Sequence, residues 1–75
     1  MKFHIMLRSP EEVKDFVNKA SICPFEIDLQ SGNVFIDAKS FLGVLTMAMH
    51  RRMEVVCIDP QEGRPLTELK KFAVA

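Results

Sequence analysis

Residues 38 to 45 read Ala38-Lys39-Ser40-Phe41-Leu42-Gly43-Val44-Leu45 and place a serine directly before an apolar run. Serine is a preferred helix N-cap residue, because its side-chain oxygen accepts a hydrogen bond from a backbone N–H of the first turn. The helix capped by Ser40 is predicted to run to about Met49 and to end near residues 50–52, where positive charge suits a helix C-terminus. Because almost no position of this helix is polar, we expect one face to pack on the core, through Val44 with Ala48 and a neighbour, and the rest to contact a partner.

The residues before this helix predict a strand, a first helix and a hairpin. Residues 2–7 alternate between apolar and polar side chains, as a half-buried strand does. Ser9-Pro10-Glu11-Glu12 is typical of a helix start, with a serine cap, a proline at the first helical position and a glutamate that completes a capping box. Apolar residues at helical spacing follow as far as Ala20. Alternation over residues 25–30 and 34–38, on either side of Ser31-Gly32-Asn33, predicts a β-hairpin.

The residues after the apolar helix predict one more strand and a short last helix. The strand runs from Met53 to Ile58, with Val55 and Cys57 facing inward, and residues 59–63 form a loop. The last helix runs from Pro65 to roughly Ala73, and its inward side chains are Leu66, Leu69 and either Phe72 or Ala73. The resulting order is strand, helix, strand, strand, helix, strand, helix, which predicts an α+β fold with helices on one face of an antiparallel sheet.

Length and composition restrict the functions that this chain can have. A chain of 75 residues makes a single domain, residues 1–75, with little room for a deep enclosed site. Ten basic and ten acidic residues cancel without a long basic cluster, which argues against a nucleic-acid binder. No apolar run approaches the length that crosses a bilayer, so no membrane insertion is expected and the predicted location is cytoplasmic. Cys23 and Cys57 lack the spacing of a redox pair or a zinc site and are interpreted as small apolar residues in or near the core, so neither a metal nor a cofactor is predicted.

The segment Lys39-Ser40-Phe41-Leu42-Gly43-Val44-Leu45 resembles the motif around the regulatory serine of the HPr family. HPr is the histidine-containing phosphocarrier protein of the bacterial sugar phosphotransferase system. The resemblance extends without gaps from about Glu11 to Cys57, with Asn18-Lys19-Ala20-Ser21 and Gly32 as weaker support. It implies an HPr-like open-faced sandwich, in which three helices cover one face of a four-stranded antiparallel sheet in the order βαββαβα.

The phosphocarrier part of the family's motif is missing from this chain. Ser9 stands at the position that matches the phosphorylated histidine, and Glu11 and Glu12 match the arginine and proline of the His-x-Arg-Pro motif. A serine supplies no imidazole, and two carboxylates would repel a phosphoryl group rather than hold it. His4, on the first strand, and His50, at a helix C-terminus, are interpreted as surface residues. We therefore expect no phosphocarrier activity and no enzyme activity.

Ser40, in contrast, retains the family's pattern. In the family this serine is phosphorylated by an ATP-dependent kinase, and the modified protein binds a regulator of carbon catabolite repression. A helix N-terminus tolerates the added negative charge. The resemblance implies a partner-binding surface formed by Lys39, Phe41, Leu42, Leu45 and Met47. Its expected partners are an HPr serine kinase, a carbon catabolite regulator or components of the phosphotransferase system.

Three functions remain open at this point. The first is a regulatory binding module, similar to the catabolite-repression relative of HPr that also lacks the histidine, with Ser40 as its phosphorylation site. The second is a phosphocarrier that uses an atypical residue. The third is an interaction domain of the same fold without phosphorylation, in which Ser40 is only a helix cap. A homodimer contact is an alternative use of the second helix.

Overall fold

The computed structural model describes residues 2–58 and 64–74, except for the side chains of residues 58 and 64–66. The predicted loop at residues 59–63 and the predicted inward side chain of Leu66 lie outside this described part. In chain order the elements are β1 (Lys2–Ile5), α1 (Pro10–Ile22), β2 (Glu26–Ser31), β3 (Val34–Asp37), α2 (Phe41–Met47), β4 (Met53–Ile58), α3 (Arg64–Leu69), a 3₁₀ turn (Lys70–Phe72) and β5 (Ala73–Val74).

The strands form one antiparallel sheet in the order β3-β2-β4-β1-β5. Successive side chains of a strand point to opposite faces, so each strand contributes one apolar row and one more polar row. Leu29 lies beside Ile36 on one side and Val55 on the other, and all three are buried in the core. The three helices contribute their own apolar stripes to the same core, as predicted for an α+β fold with an antiparallel sheet.

The sheet has five strands, so the prediction of four strands in the order βαββαβα is wrong at the C-terminal end. The last helix ends at Leu69 instead of running to Ala73, and the chain continues through the 3₁₀ turn into β5. The Met6 N–H donates to the Phe72 carbonyl at 3.3 Å, which brings the following residues beside β1. Ala73 and Val74 then pair with the free edge of β1, because unpaired backbone groups at a sheet edge readily accept another strand. Ala73 is consequently exposed.

Phe72 is the residue that faces inward at this end of the chain, in agreement with one of the two predicted alternatives. It packs against the core, and its ring meets the buried Phe16 ring edge-on at a centroid distance of 5.6 Å. Such edge-to-face pairs add roughly 0.5–1.5 kcal/mol to the burial of the two rings. The contact therefore anchors the C-terminal turn on α1.

Strand β1 and helix α2 both end earlier than predicted, and the residues that follow each of them contact each other. Leu7 leaves the sheet and forms a parallel bridge with Met49, and the His50 N–H donates to the Leu7 carbonyl at 2.7 Å. Helix α2 ends at Met47, and His50 adopts a left-handed backbone with φ of 65°. Leu7 is nevertheless buried, so its alternating position predicted its burial correctly but not its backbone pairing.

A single cluster of buried apolar residues holds the sheet and helices together. Cys23 and Cys57 are both free thiols within it, as predicted, and burial raises the pKa of each. The buried members are Ile5, Leu7, Val13, Phe16, Val17, Ala20, Cys23, Phe25, Ile27, Leu29, Ile36, Ala38, Val44, Ala48, Met53, Val55, Cys57 and Leu69.

Candidate functional site

Ser40 caps helix α2 in the structure, as its sequence position predicts. Its backbone is extended, with φ of −97° and ψ of 103°, and its Oγ accepts the Gly43 N–H at 3.3 Å. The Val44 N–H donates to the Ser40 carbonyl at 3.0 Å, which begins the helical ladder. The residue is exposed. Its hydroxyl is thus accessible from solvent while it serves as a cap.

Gly43 lies in close packing at this cap. A Cβ atom at this position would lie 3.1 Å from Ser40 Oγ and 3.3 Å from Ile36 Cγ2. Both distances are shorter than ordinary van der Waals contact, and Ile36 belongs to the buried cluster. A larger residue at this position would therefore require Ser40 or Ile36 to shift by a few tenths of an ångström.

Helix α2 divides into a core face and an exposed face. Val44 and Ala48 are buried, as predicted, whereas Leu45, which was predicted for the partner-binding surface, is half-buried and packs against the core. The exposed face holds Phe41, Leu42 and Met47, whose exposed fractions are 43%, 68% and 47%. We call these three residues the α2 patch. Large exposed apolar patches are typical of contact sites on protein surfaces.

Lys39 joins the start of α2 to the end of α1. Its Nζ donates to the Cys23 carbonyl at 2.8 Å, and its backbone N–H donates to Asp37 Oδ1 at 2.9 Å. Because Cys23 is the C-cap of α1, the ammonium group lies where the helix dipole favours a cation. Among the predicted partner-binding residues, Lys39 therefore has an internal structural contact as well.

Ile22 is an exposed apolar residue that the sequence analysis did not assign to the site. It is the last residue of α1 and is 78% exposed, immediately before the carbonyl that Lys39 contacts. The signal was available in the sequence, since Ile22 lies off the helical stripe formed by Val13, Phe16, Val17 and Ala20. Residue spacing alone did not indicate that this helix end lies beside the start of α2.

The start of α1 is also capped by serine, but its surroundings differ. Ser9 Oγ accepts the Glu12 N–H at 3.1 Å, and Glu12 Oε1 accepts the Arg8 N–H at 2.7 Å. The predicted capping box is therefore present with its second contact shifted by one residue, from the Ser9 N–H to the Arg8 N–H. Glu11 is exposed in the same turn, so two carboxylates stand at this helix start.

Two further findings concern the described residues as a set. Their histidine, cysteine, aspartate and glutamate side chains form no group of three that could hold a metal ion. None of the helices in the described ranges is long and apolar enough to cross a membrane.

Comparison of the sequence with protein-family models and with curated proteins finds no match. Among solved structures, the fold is similar to the crystal structure of HPr-C-His from Thermoanaerobacter tengcongensis, with a TM-score of 0.75. The superposition covers 97% of this chain and 88% of that chain, at 17% sequence identity. Identity at this level establishes the fold and nothing beyond it. The predicted HPr-like fold is therefore confirmed, apart from the number and order of its elements.

Proposed function

We propose that this chain is a regulatory binding module, a divergent member of the HPr family without histidine phosphocarrier activity, and not an enzyme. The observation that carries the proposal is the α2 patch of Phe41, Leu42 and Met47 directly after an exposed serine, Ser40. In bacteria this function would belong to the cytoplasmic regulation of sugar transport and carbon catabolism.

The start of α1 is unsuited to hold a phosphoryl group. The Glu11 and Glu12 carboxylates occupy the first turn of α1, directly after Ser9. A phosphoryl group there would be repelled by both carboxylates, whereas the carboxylates themselves are favoured at a helix N-terminus. These carboxylates support the proposal that the phosphocarrier reaction has been lost.

The start of α2 is better suited to phosphorylation. No carboxylate lies in the first turn of α2, and the Ser40 side chain faces solvent. Phosphate would add roughly −1.5 to −2 charges immediately beside Phe41 and Leu42. The charge would change which protein surfaces the α2 patch can bind, by attracting a basic rim and repelling an acidic one. The proposed partners are an HPr serine kinase, a carbon catabolite regulator and components of the phosphotransferase system.

One observation favours a second candidate, an interaction domain without phosphorylation. The Ser40 Oγ hydrogen bond to the Gly43 N–H gives this serine a structural role that needs no kinase. In that case the α2 patch acts alone, as a constitutive contact for a partner or for a second copy of the chain.

The deciding experiment is incubation with an HPr serine kinase and ATP, followed by intact mass measurement. We expect one phosphate on the wild-type chain and on S9A, and none on S40A. Absence of phosphate from the wild-type chain, with an HPr substrate phosphorylated in parallel, would refute the regulatory proposal and leave the constitutive module. A parallel incubation with phosphoenolpyruvate and the general phosphotransferase enzyme should give no acid-labile phosphate.

The role of the α2 patch is tested separately with the phosphorylated protein and a carbon catabolite regulator. Calorimetric titration should show binding by the wild-type chain and a large loss of affinity in Leu42→Glu. Asn18→Glu is the control, because it adds the same charge at an exposed position of α1 that belongs to neither the patch nor the sheet face. Equal affinity of wild type and Leu42→Glu would show that the patch is not the contact surface.

A further inference from the structure

The sheet face opposite the helices has side chains of its own, which form two rows across the strands, with Glu26 at the start of β2 beyond them. The residues alternate in sequence with the buried ones, and each is exposed or half-buried. We call this surface the open face. Across the sheet from β3 to β5, one row consists of Phe35, Gln30, Glu54, His4 and Val74. The adjacent row, from β3 to β1, consists of Asp37, Asp28, Val56 and Lys2.

Charge is distributed unevenly between this face and the rest of the molecule. Although the chain has ten basic and ten acidic residues, the strands place four carboxylates on the open face against one lysine. That lysine, Lys2, lies on β1, separated from Asp28 by β4. A surface with an excess of one sign attracts the opposite charge and repels polyanions such as nucleic acids and anionic lipids. The carboxylates are those of Glu26, Asp28, Asp37 and Glu54.

Asp28 and Asp37 are directly opposite each other on neighbouring strands. The Ala38 N–H donates to the Ile27 carbonyl at 2.9 Å, so the Asp28–Asp37 pair next to it is a non-hydrogen-bonded pair, in which side chains approach most closely. Like charges in such a pair destabilise a sheet. One oxygen of Asp37 accepts the Lys39 backbone N–H, and neither residue belongs to the ion pair found among the described residues, Lys19 with Asp15.

Phe35 places an exposed aromatic ring beside these carboxylates. It lies two residues from Asp37 on the same face of β3, and its ring is 66% exposed. A lysine or arginine side chain has an alkyl stem that covers an aromatic ring and a cationic end that binds carboxylates. Because β3 is an edge strand of the sheet, a partner can approach Phe35 from the open face and also from the sheet edge.

We propose that the corner formed by Phe35, Asp37, Asp28 and Gln30 is a docking site for a lysine- or arginine-rich segment of a partner protein. In the complex, a cationic side chain lies over the Phe35 ring and donates hydrogen bonds to the two opposed carboxylates. The bound cation offsets the repulsion between Asp28 and Asp37. This site lies on the sheet, outside the α2 patch.

The experiment titrates the isotope-labelled chain with the acetylated and amidated peptide Arg-Leu-Arg-Leu-Arg and follows backbone amide shifts by NMR. We expect the largest shifts in β2 and β3, affinity that falls with added sodium chloride, and no shifts with the peptide Glu-Leu-Glu-Leu-Glu. The double variant D28N/D37N should weaken binding by about tenfold, corresponding to the loss of charge-assisted hydrogen bonds. Phe35→Ala should weaken it by a smaller factor.

The matched control is the double variant Glu11→Gln with Glu68→Gln, which removes the same charge from exposed positions on α1 and α3. Binding by this control should stay at the wild-type level. Equal weakening in the control, shifts that centre on α2, or no shifts at all would each overturn the proposal. The amide spectrum of D28N/D37N reports its folding, and removal of like charges should leave its thermal midpoint equal or higher.

Discussion

Helices α1 and α2 both begin at a serine cap, and the residues that follow each serine make the two starts chemically different. After Ser9 come Glu11 and Glu12, and a glutamate stands at the third helical position. After Ser40 come Phe41 and Leu42, and a glycine stands at that third position. Carboxylates and hydrogen bonds stabilise the start of α1, whereas the start of α2 packs closely on β3. The same cap thus precedes two carboxylates in α1 and exposed apolar side chains in α2.

Gly43→Glu should give the largest effect, because it transfers the capping-box residue of α1 to α2. The new Cβ would crowd Ser40 Oγ and the buried Ile36 side chain. We expect a loss of about 2 kcal/mol in the free energy of unfolding, typical of overpacking. Urea denaturation measures it, and Gly43→Ala measures the contribution of the Cβ atom alone. A variant as stable as wild type would show that β3 and α2 can move slightly apart without a loss in the free energy of unfolding.

Removal of each serine hydroxyl compares the two caps directly. Ser9→Ala should lower the free energy of unfolding by about 1 kcal/mol, and Ser40→Ala by about 0.5 kcal/mol. The cap distance is shorter at Ser9, 3.1 Å against 3.3 Å, and α1 is the longer helix, with 13 residues against 7. Thermal melts of the two variants at one pH decide the order. A larger loss in Ser40→Ala would show that the cap of α2 contributes more to stability than the cap of α1.

His50→Gly should raise stability by about 0.5 kcal/mol, because glycine adopts a left-handed backbone without a Cβ clash. The gain stays small since glycine also increases the entropy of the unfolded chain. The thermal midpoint measures the change, and His4→Gly in β1 should lower it as a control. A lower thermal midpoint in His50→Gly would mean that the imidazole stabilises the fold by more than the left-handed backbone at His50 destabilises it.

The smallest expected effect is a pH dependence confined to α1. The hydrogen bond from Lys19 lowers the pKa of Asp15 from its ordinary value of 3.8. The ionised carboxylate therefore stabilises the folded state above the unfolded pKa, and this contribution is lost as the pH falls through the lower, folded pKa. Acid titration of thermal stability should show a shallower loss below pH 3.8 in Asp15→Asn than in wild type. Identical titration curves would contradict the assignment.

Local patterns predicted the parts of the fold that depend on neighbouring residues. Both serine caps, the stripe of α1 and the alternation of the hairpin depend on contacts within a few positions, and the structure contains each of them. The buried pair Val44 and Ala48 was predicted from the same kind of spacing. Along the candidate site, the sequence therefore indicated which side of α2 faces outward.

The remaining features depend on contacts between distant segments, which spacing does not encode. The predicted helix over residues 65–73 is cut short because β5 pairs with the edge of β1, more than 60 residues earlier in the chain. Lys39 binds the Cys23 carbonyl because α1 and α2 meet.

The sequence by itself determined where α1 and α2 begin and which positions of α1 and of the hairpin face the core, because capping and side-chain periodicity act over one or two turns. It also indicated that Ser9 with its two carboxylates is unlike Ser40 with its apolar neighbours. Only the tertiary structure decided the fifth strand, the left-handed backbone at His50 and the charge of the open face. Each of these arises from pairing between segments far apart in sequence, where the free energy of the contact outweighs local preference.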